Sequence, residues 1–370
     1  MRARVLLVLG LLLALGAGAA PVGACELCDG PGSNFVALQE HVERWPLVAL
    51  GEPRGRTREG RVQFAVTRIL KGDKNLALGA TVSPPGATAV LPGHVWLLLG
   101  RKANFQGGTV LMLRPGTLAF LRAAPRLPSA DEPAKRLVAM VPWLRHEDPM
   151  VSGSARKAFA DAPYSAVREA AKVIDPDDLI TSLADPERAP GSRGPMFLLL
   201  GRAGGPAARK RLGTWMIDPA VQKAPGYDAL LAAWLVQTGR AGLAPILRLF
   251  EDPKLERAVV GGAFVRALGF HARNEDVLTK ATITEALVRL LPEQTTFGVT
   301  LEELGRLEAW GTTERVLAAY KRHKADAPWT VGPVLRFLET QPGEEAKKRR
   351  ERLMAELAQT QPKPPAPGRK

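Results

Sequence analysis

The spacing of apolar residues changes character several times along the chain. Val5 to Leu15 is apolar except for Gly10, a run too short to span a bilayer as a permanent anchor. Phe35, Leu38 and Val42 stand at i, i+3 and i+7, which predicts a short amphipathic helix over Phe35–Trp45. Pro46–Gly51 then reads as a short strand. Arg61–Leu70 alternates, with Val62, Phe64, Val66 and Ile69 on or near one face, and reads as a second. Ala80–Val82, His94–Gly100 and Thr109–Leu113 complete a set of five. Turns are expected at Lys71-Gly72-Asp73, Pro84-Pro85-Gly86 and Gln106-Gly107-Gly108, and a basic, turn-rich loop over Pro53–Gly60. Five short strands in about ninety residues suit a small barrel or sandwich.

From Asp131 onward the period becomes helical and Leu and Ala dominate. Helices are expected at Pro133–Leu144, Val151–Ala160, Ser165–Val173, Leu179–Ala184, Gly194–Ala203, Ala207–Met216, Gly226–Thr238, Leu243–Phe250 and Leu255–Gly269. They continue at Thr282–Leu291, Leu301–Trp310, Thr313–His323 and Val331–Thr340. Asp148-Pro149, Asp175-Pro176, Asp185-Pro186, Asp218-Pro219 and Asp252-Pro253 stand between helices, where Asp caps an N-terminus and Pro suits the first turn. Short helices with short links describe an α-solenoid, and a pair roughly every 30 to 45 residues resembles divergent HEAT-like repeats. A compact irregular helical domain is the alternative. The fold class read from these patterns is α+β and multidomain.

Of 370 residues, 46% are apolar and 24% charged, which excludes wholesale disorder. The net charge of +14 invites an anionic partner, but it is unevenly held. Residues 126–340 carry 29 basic against 26 acidic side chains, while residues 25–125 carry 12 against 7 and residues 341–370 carry 8 against 4. A nucleic-acid-binding body is therefore not expected. The excess sits in the N-terminal segment, in the loop with Arg54, Arg56, Arg58 and Arg61, and in the tail; these four arginines are the candidate contacts for an anionic surface.

Arg2 and Arg4 precede the apolar run, and Gly16–Ala24 is rich in small residues, the pattern of an export signal. Cuts after Ala19, Ala20 or Ala24 all fit. Val22-Gly23-Ala24-Cys25 also resembles a bacterial lipobox, whose Cys is acylated; Val22 in place of the usual Leu, and Pro21, speak for plain secretion. The only two cysteines form Cys25-Glu26-Leu27-Cys28. Such a pair forms a local disulfide, cycles as a redox couple or supplies half of a zinc site. Asp29 after it excludes c-type haem attachment. Two cysteines exclude a disulfide-rich scaffold.

Val62-Gln-Phe-Ala-Val-Thr-Arg-Ile-Leu-Lys-Gly72, Gly79 and Pro92-Gly-His-Val-Trp-Leu-Leu-Leu-Gly100 resemble the netrin/TIMP-like OB-type barrel, over about a quarter of the chain. The metalloproteinase inhibitors of that family begin with Cys-x-Cys; this chain has Cys-x-x-Cys and lacks their later partners, so inhibition is not implied. The order of signal, Cys pair, β domain and helical array looks like a family of exported proteins typical of planctomycete-like bacteria. Phe197-Leu-Leu-Leu-Gly201-Arg-Ala-Gly204 and the run from Tyr227 to Leu243 carry that likeness. It implies an architecture and no catalytic residues.

Other motifs have structural readings. Gly201-Arg-Ala-Gly-Gly205 is not a phosphate loop, and suits a helix end. Ser152-Gly-Ser154 lacks the nucleophile-elbow frame, and His146-Glu147 lacks the second His of a zinc site. Glu302/Glu303 and Asp177/Asp178 are expected at helix starts, and His271 and His323 at helix ends. Trp143, Trp215, Trp234, Trp310 and Trp329 are expected to pack between helices. The domains read as a signal (1–24), the Cys segment (25–33), the β domain (34–125), the array (126–340), and a charged helix with a Pro-rich tail (341–370). The reading is an exported, non-catalytic binding or scaffold protein of the envelope, without a cofactor. Its partners are proteins, and a membrane only if Cys25 is lipidated. The alternative is a thiol redox or metal-binding protein using Cys25 and Cys28.

Overall fold

The computed structural model describes residues 26–29, 36–72, 76–85, 87, 90, 91, 93–102, 105, 107–184, 190–252, 255–275 and 277–360. The signal, Cys25, Asp185-Pro186, Pro253 and the tail lie outside the described residues. The fold is α+β: a five-stranded antiparallel sheet followed by helices. Two compact units divide the chain, one up to Ala203 and one from Gly204.

The first unit begins with α1 (Glu26–Asp29) and α2 (Leu38–Arg44). The strands follow: β1 (Leu47–Arg56), β2 (Val62–Lys71), β3 (Thr81–Val82), β4 (Val95–Gly100) and β5 (Thr109–Leu113). The helices α3 (Pro115–Ala123), α4 (Pro133–Leu144), α5 (Pro149–Asp161), α6 (Tyr164–Ala171), α7 (Pro176–Leu183) and α8 (Arg193–Ala203) complete it. The sheet order is β3-β2-β1-β4-β5. Leu47, Ala49, Val62, Phe64, Val66, Trp96 and Leu98 form one core. The alternate residues Val48, Leu50, Leu97 and Leu99 are buried as well. Burial on both sides explains why β4 reads as a continuous apolar run rather than an alternation.

Two sequence expectations need correction here. Pro53–Gly60 is not all loop, because β1 continues through Pro53 to Arg56, pairing with Val62–Phe64 of β2. Pro53 lacks an N–H, yet beyond Gly51 β1 has a ladder on one side only, the edge situation in which proline is tolerated. α3 was unforeseen, because Pro115-Gly116 imitates a turn. Its buried Thr117, Phe120 and Leu121 have helical spacing.

The second unit contains α9 (Gly205–Met216), α10 (Pro219–Lys223), α11 (Tyr227–Thr238), α12 (Leu243–Leu249), α13 (Arg257–Asn274), α14 (Lys280–Leu290), α15 (Phe297–Arg306), α16 (Thr313–His323), α17 (Val331–Thr340) and α18 (Glu344–Thr360). α9, α11, α13, α15 and α17 contact one another in succession, so helices two apart in the chain are neighbours in space. Within the first unit α4, α6 and α8 do the same. The stretch Tyr227–Leu249 has the length and hydropathy (1.3) of a membrane span. It is two helices, however, broken by a 3-10 turn at Gly239–Gly242, and Tyr227–Ala233 are buried.

Asp148, Asp175 and Asp218 cap helices as the sequence implied, accepting from the N–H two residues on at 3.0, 3.0 and 2.9 Å. Gly204 and Gly205 adopt φ of 79° and 94° between α8 and α9, positive values that glycine alone takes without strain. α15 starts at Phe297, one turn earlier than expected. Glu303 therefore lies mid-helix rather than at a helix start.

Candidate functional site

α1 carries Cys28, which is disulfide-bonded and only 1% exposed; the chain's other cysteine, Cys25, lies outside the described residues. α1 packs on α5 and α8. The small residues Ser152, Gly153 and Ser154 of α5 are buried. Ser154 Oγ donates to Met150 O at 2.7 Å and accepts from Leu38 N at 2.9 Å, so it caps α2 from 116 residues away. Ser152-Gly-Ser154 is thus a packing surface.

Above it, α2, the start of α4 and α5 enclose a cleft of about 560 Å³. Its charged lining is Glu40, Glu43, Asp131, Arg136, Lys157 and Asp161. Lys157 pairs with Asp161 and, at 3.8 Å, with Glu40. Gln39 also lines it, with both amide atoms buried and no hydrogen-bond partner among the described residues. On α2, burial holds the His41 imidazole below its ordinary 6.5, opposed by the neighbouring Glu40. The carboxylates make this a receptive place for a cationic group.

Arg54, Arg56, Arg58 and Arg61 are brought together. All four are exposed around the β1–β2 hairpin. Thr57 N donates to Arg61 O at 2.8 Å and Gly60 N to Thr57 O at 2.9 Å, while Arg56 Nη1 reaches Gly60 O at 2.8 Å.

In the second unit a smaller groove, about 160 Å³, runs between α12 and α14. Leu243, Ala244, Leu247 and Ala286 supply apolar surface, and Arg240, Glu285 and Arg289 the charge.

The acid pair Glu302/Glu303 is divided by the fold. Glu302 faces Arg336 at 3.6 Å. Glu303 is buried between Arg273 (2.8 Å) and Arg306 (3.0 Å). His271 and His323, read as dipole partners at helix ends, are buried. Each donates Nε2–H to a carbonyl of another helix, Ala232 O at 3.0 Å and Leu291 O at 2.8 Å. Trp215 is buried, whereas Trp329 is 65% exposed and does not pack between helices. Among the described residues, no group of three or more His, Cys, Asp or Glu is placed to hold a metal.

These links share a property that residue-by-residue reading missed. Arg145–Ser182 and Arg156–Gly191 in the first unit span 37 and 35 residues. In the second unit, Asp228–Arg266, Ala232–His271, Arg257–Glu293, Arg273–Glu303 and Leu291–His323 span 38, 39, 36, 30 and 32. Five of the chain's 36 glycines, Gly194, Gly226, Gly262, Gly298 and Gly332, stand 32, 36, 36 and 34 residues apart. Comparison with family models, with curated proteins and with solved structures gives no match.

Proposed function

We propose that the chain is an exported, non-catalytic binding or scaffold protein of the cell envelope, with a HEAT-like array that receives a protein partner. The observation that carries this reading is the regular span of the inter-helix links. A stack in which each helix pair bonds to the next, about one repeat-length away, is how a solenoid builds a long recognition surface. The likeness to planctomycete-type exported proteins belongs to the same proposal. So does an OB/TIMP-like β module: the order β3-β2-β1-β4-β5 is that of such a barrel opened between β3 and β5, and register shifts in β1 give it the required bend.

The test is site-specific photocrosslinking in the exporting cell. A crosslinker at Arg240 or Arg289, beside the groove between α12 and α14, is expected to capture one discrete protein adduct. The same group at exposed Arg209 on α9 is expected to capture none. Equal labelling from all three positions would contradict a partner-specific array surface.

The second reading, a redox or metal protein using Cys25 and Cys28, is favoured by the disulfide at Cys28. Its burial supports a structural bond instead, since thiol exchange needs an accessible sulfur. Cys28→Ser separates the two. A structural bond predicts lower stability, by about 2 kcal/mol for so short a loop in denaturant melts, with the crosslinked adduct retained.

A further inference from the structure

The ribbon formed by β1 and β2 outgrows the sheet. β4 accompanies β1 only as far as Gly51, opposite Trp96, and β3 accompanies β2 only at Phe64 and Ala65. From Arg54 to Gln63 the chain is a two-stranded arm. Glu52–Arg61 contains four arginines and two glutamates, with two glycines, one threonine and one proline as its only other residues. Among the described residues, no hydrogen bond or ion pair engages the guanidinium groups of Arg54, Arg58 and Arg61.

Charge on an open strand edge commonly serves to prevent pairing. That purpose is already met here by other means. Pro53 removes a donor from the edge, and the register shifts between Pro53 and Gly55, which twists the edge away from an incoming strand. The arm is therefore ill suited to adding an acidic peptide as a further strand. It also lacks an aromatic side chain on which a base could stack. What remains is a set of exposed guanidinium groups, each matched to a phosphate oxygen pair.

We infer that this arm docks the protein on a surface of anionic phospholipid headgroups, through charge and hydrogen bonds and without insertion into the acyl layer. The absence of apolar side chains from Arg54 to Arg61 fixes the shallow mode, and the sign of the charge fixes the lipid class. This contact is independent of acylation at Cys25 and of the partner proposed for the array.

The test is vesicle sedimentation of the full chain with phosphatidylglycerol in phosphatidylcholine, and with phosphatidylcholine alone. Binding is expected only to the former and is expected to weaken as salt rises. The triple variant Arg54→Gln/Arg58→Gln/Arg61→Gln should lose about fivefold in partition per charge, of order a hundredfold in all. The isocharge control Arg209→Gln/Lys210→Gln/Arg211→Gln, on the exposed face of α9, should bind nearly as the parent does. Replacing the three arm arginines by lysine should retain most of the binding, which separates loss of charge from a folding defect. Equal loss in the two Gln triples overturns the inference. So does equal binding to both vesicle types, or capture of free polyphosphate by a chain that ignores both.

Discussion

Gly269 and Glu303 show how one missing methyl group governs a junction between helices. A Cβ on Gly269 of α13 would lie 2.7 Å from the Glu303 carboxylate. That carboxylate cannot step aside, because Arg273 and Arg306 hold it from both sides. Gly269→Ala should therefore cost about 1–3 kcal/mol in a chemical melt, despite the better helix propensity of alanine. In a Glu303→Ala background most of that cost should vanish, giving a coupling of about 1–2 kcal/mol in the double-mutant cycle. Additive losses would show that the close approach is not the cause. None of this is legible from the sequence, where Glu302/Glu303 reads as an acidic helix start. The apolar period says which side of a helix is covered, and not which residue from another helix arrives there.

At the level of elements, α4, α16 and α17 have the bounds that their patterns announced. Pro133 opens the first, and threonines bring in the other two. The failures are of a different kind. α3 and α10 are short and open on proline, so local signals for turn and helix coincide. β1 outruns its expected end because the bonds that extend it come from β2, beyond a turn. α18 was expected from its charges, but its structural part was not. Ala346 and Leu353 are buried, while Arg349 reaches Glu314 of α16 and Arg350 reaches Glu339 of α17. It covers one side of α17 with an apolar stripe and turns a charged face outward. A chain ending at Gly343 should lose about 2–4 kcal/mol of stability and self-associate in gel filtration. An unchanged denaturation midpoint would show that α18 is merely appended.

At the scale of the molecule, the tyrosines give both units the same weakness. The chain has three. Burial raises Tyr164, Tyr227 and Tyr320 above the ordinary value of 10. Tyr227 is raised furthest, with its hydroxyl donating to Met216 O at 2.8 Å. Below pH 10 both folded and unfolded chains keep these protons, and the contribution to stability is constant. Above it the unfolded chain releases them first, so stability falls as pH climbs from 10 toward the raised folded values. Tyr227→Phe should flatten that alkaline slope. It should cost little at neutral pH, because Gln222 Nε2 still donates to Met216 O at 3.1 Å. A slope as steep as the parent's would assign the alkaline loss to other groups.

The span of 30 to 39 residues that the inter-helix links share also bears on how such a chain can lengthen. An insertion of ten residues would lengthen every link that bridges it, carrying those donors away from their acceptors, and would leave the links on either side unchanged. An insertion of one full span places a new donor opposite the old acceptor and a new acceptor opposite the old donor. In-frame duplication of a segment such as 262–297 is thus a change the architecture absorbs, adding a rung without rewriting its neighbours.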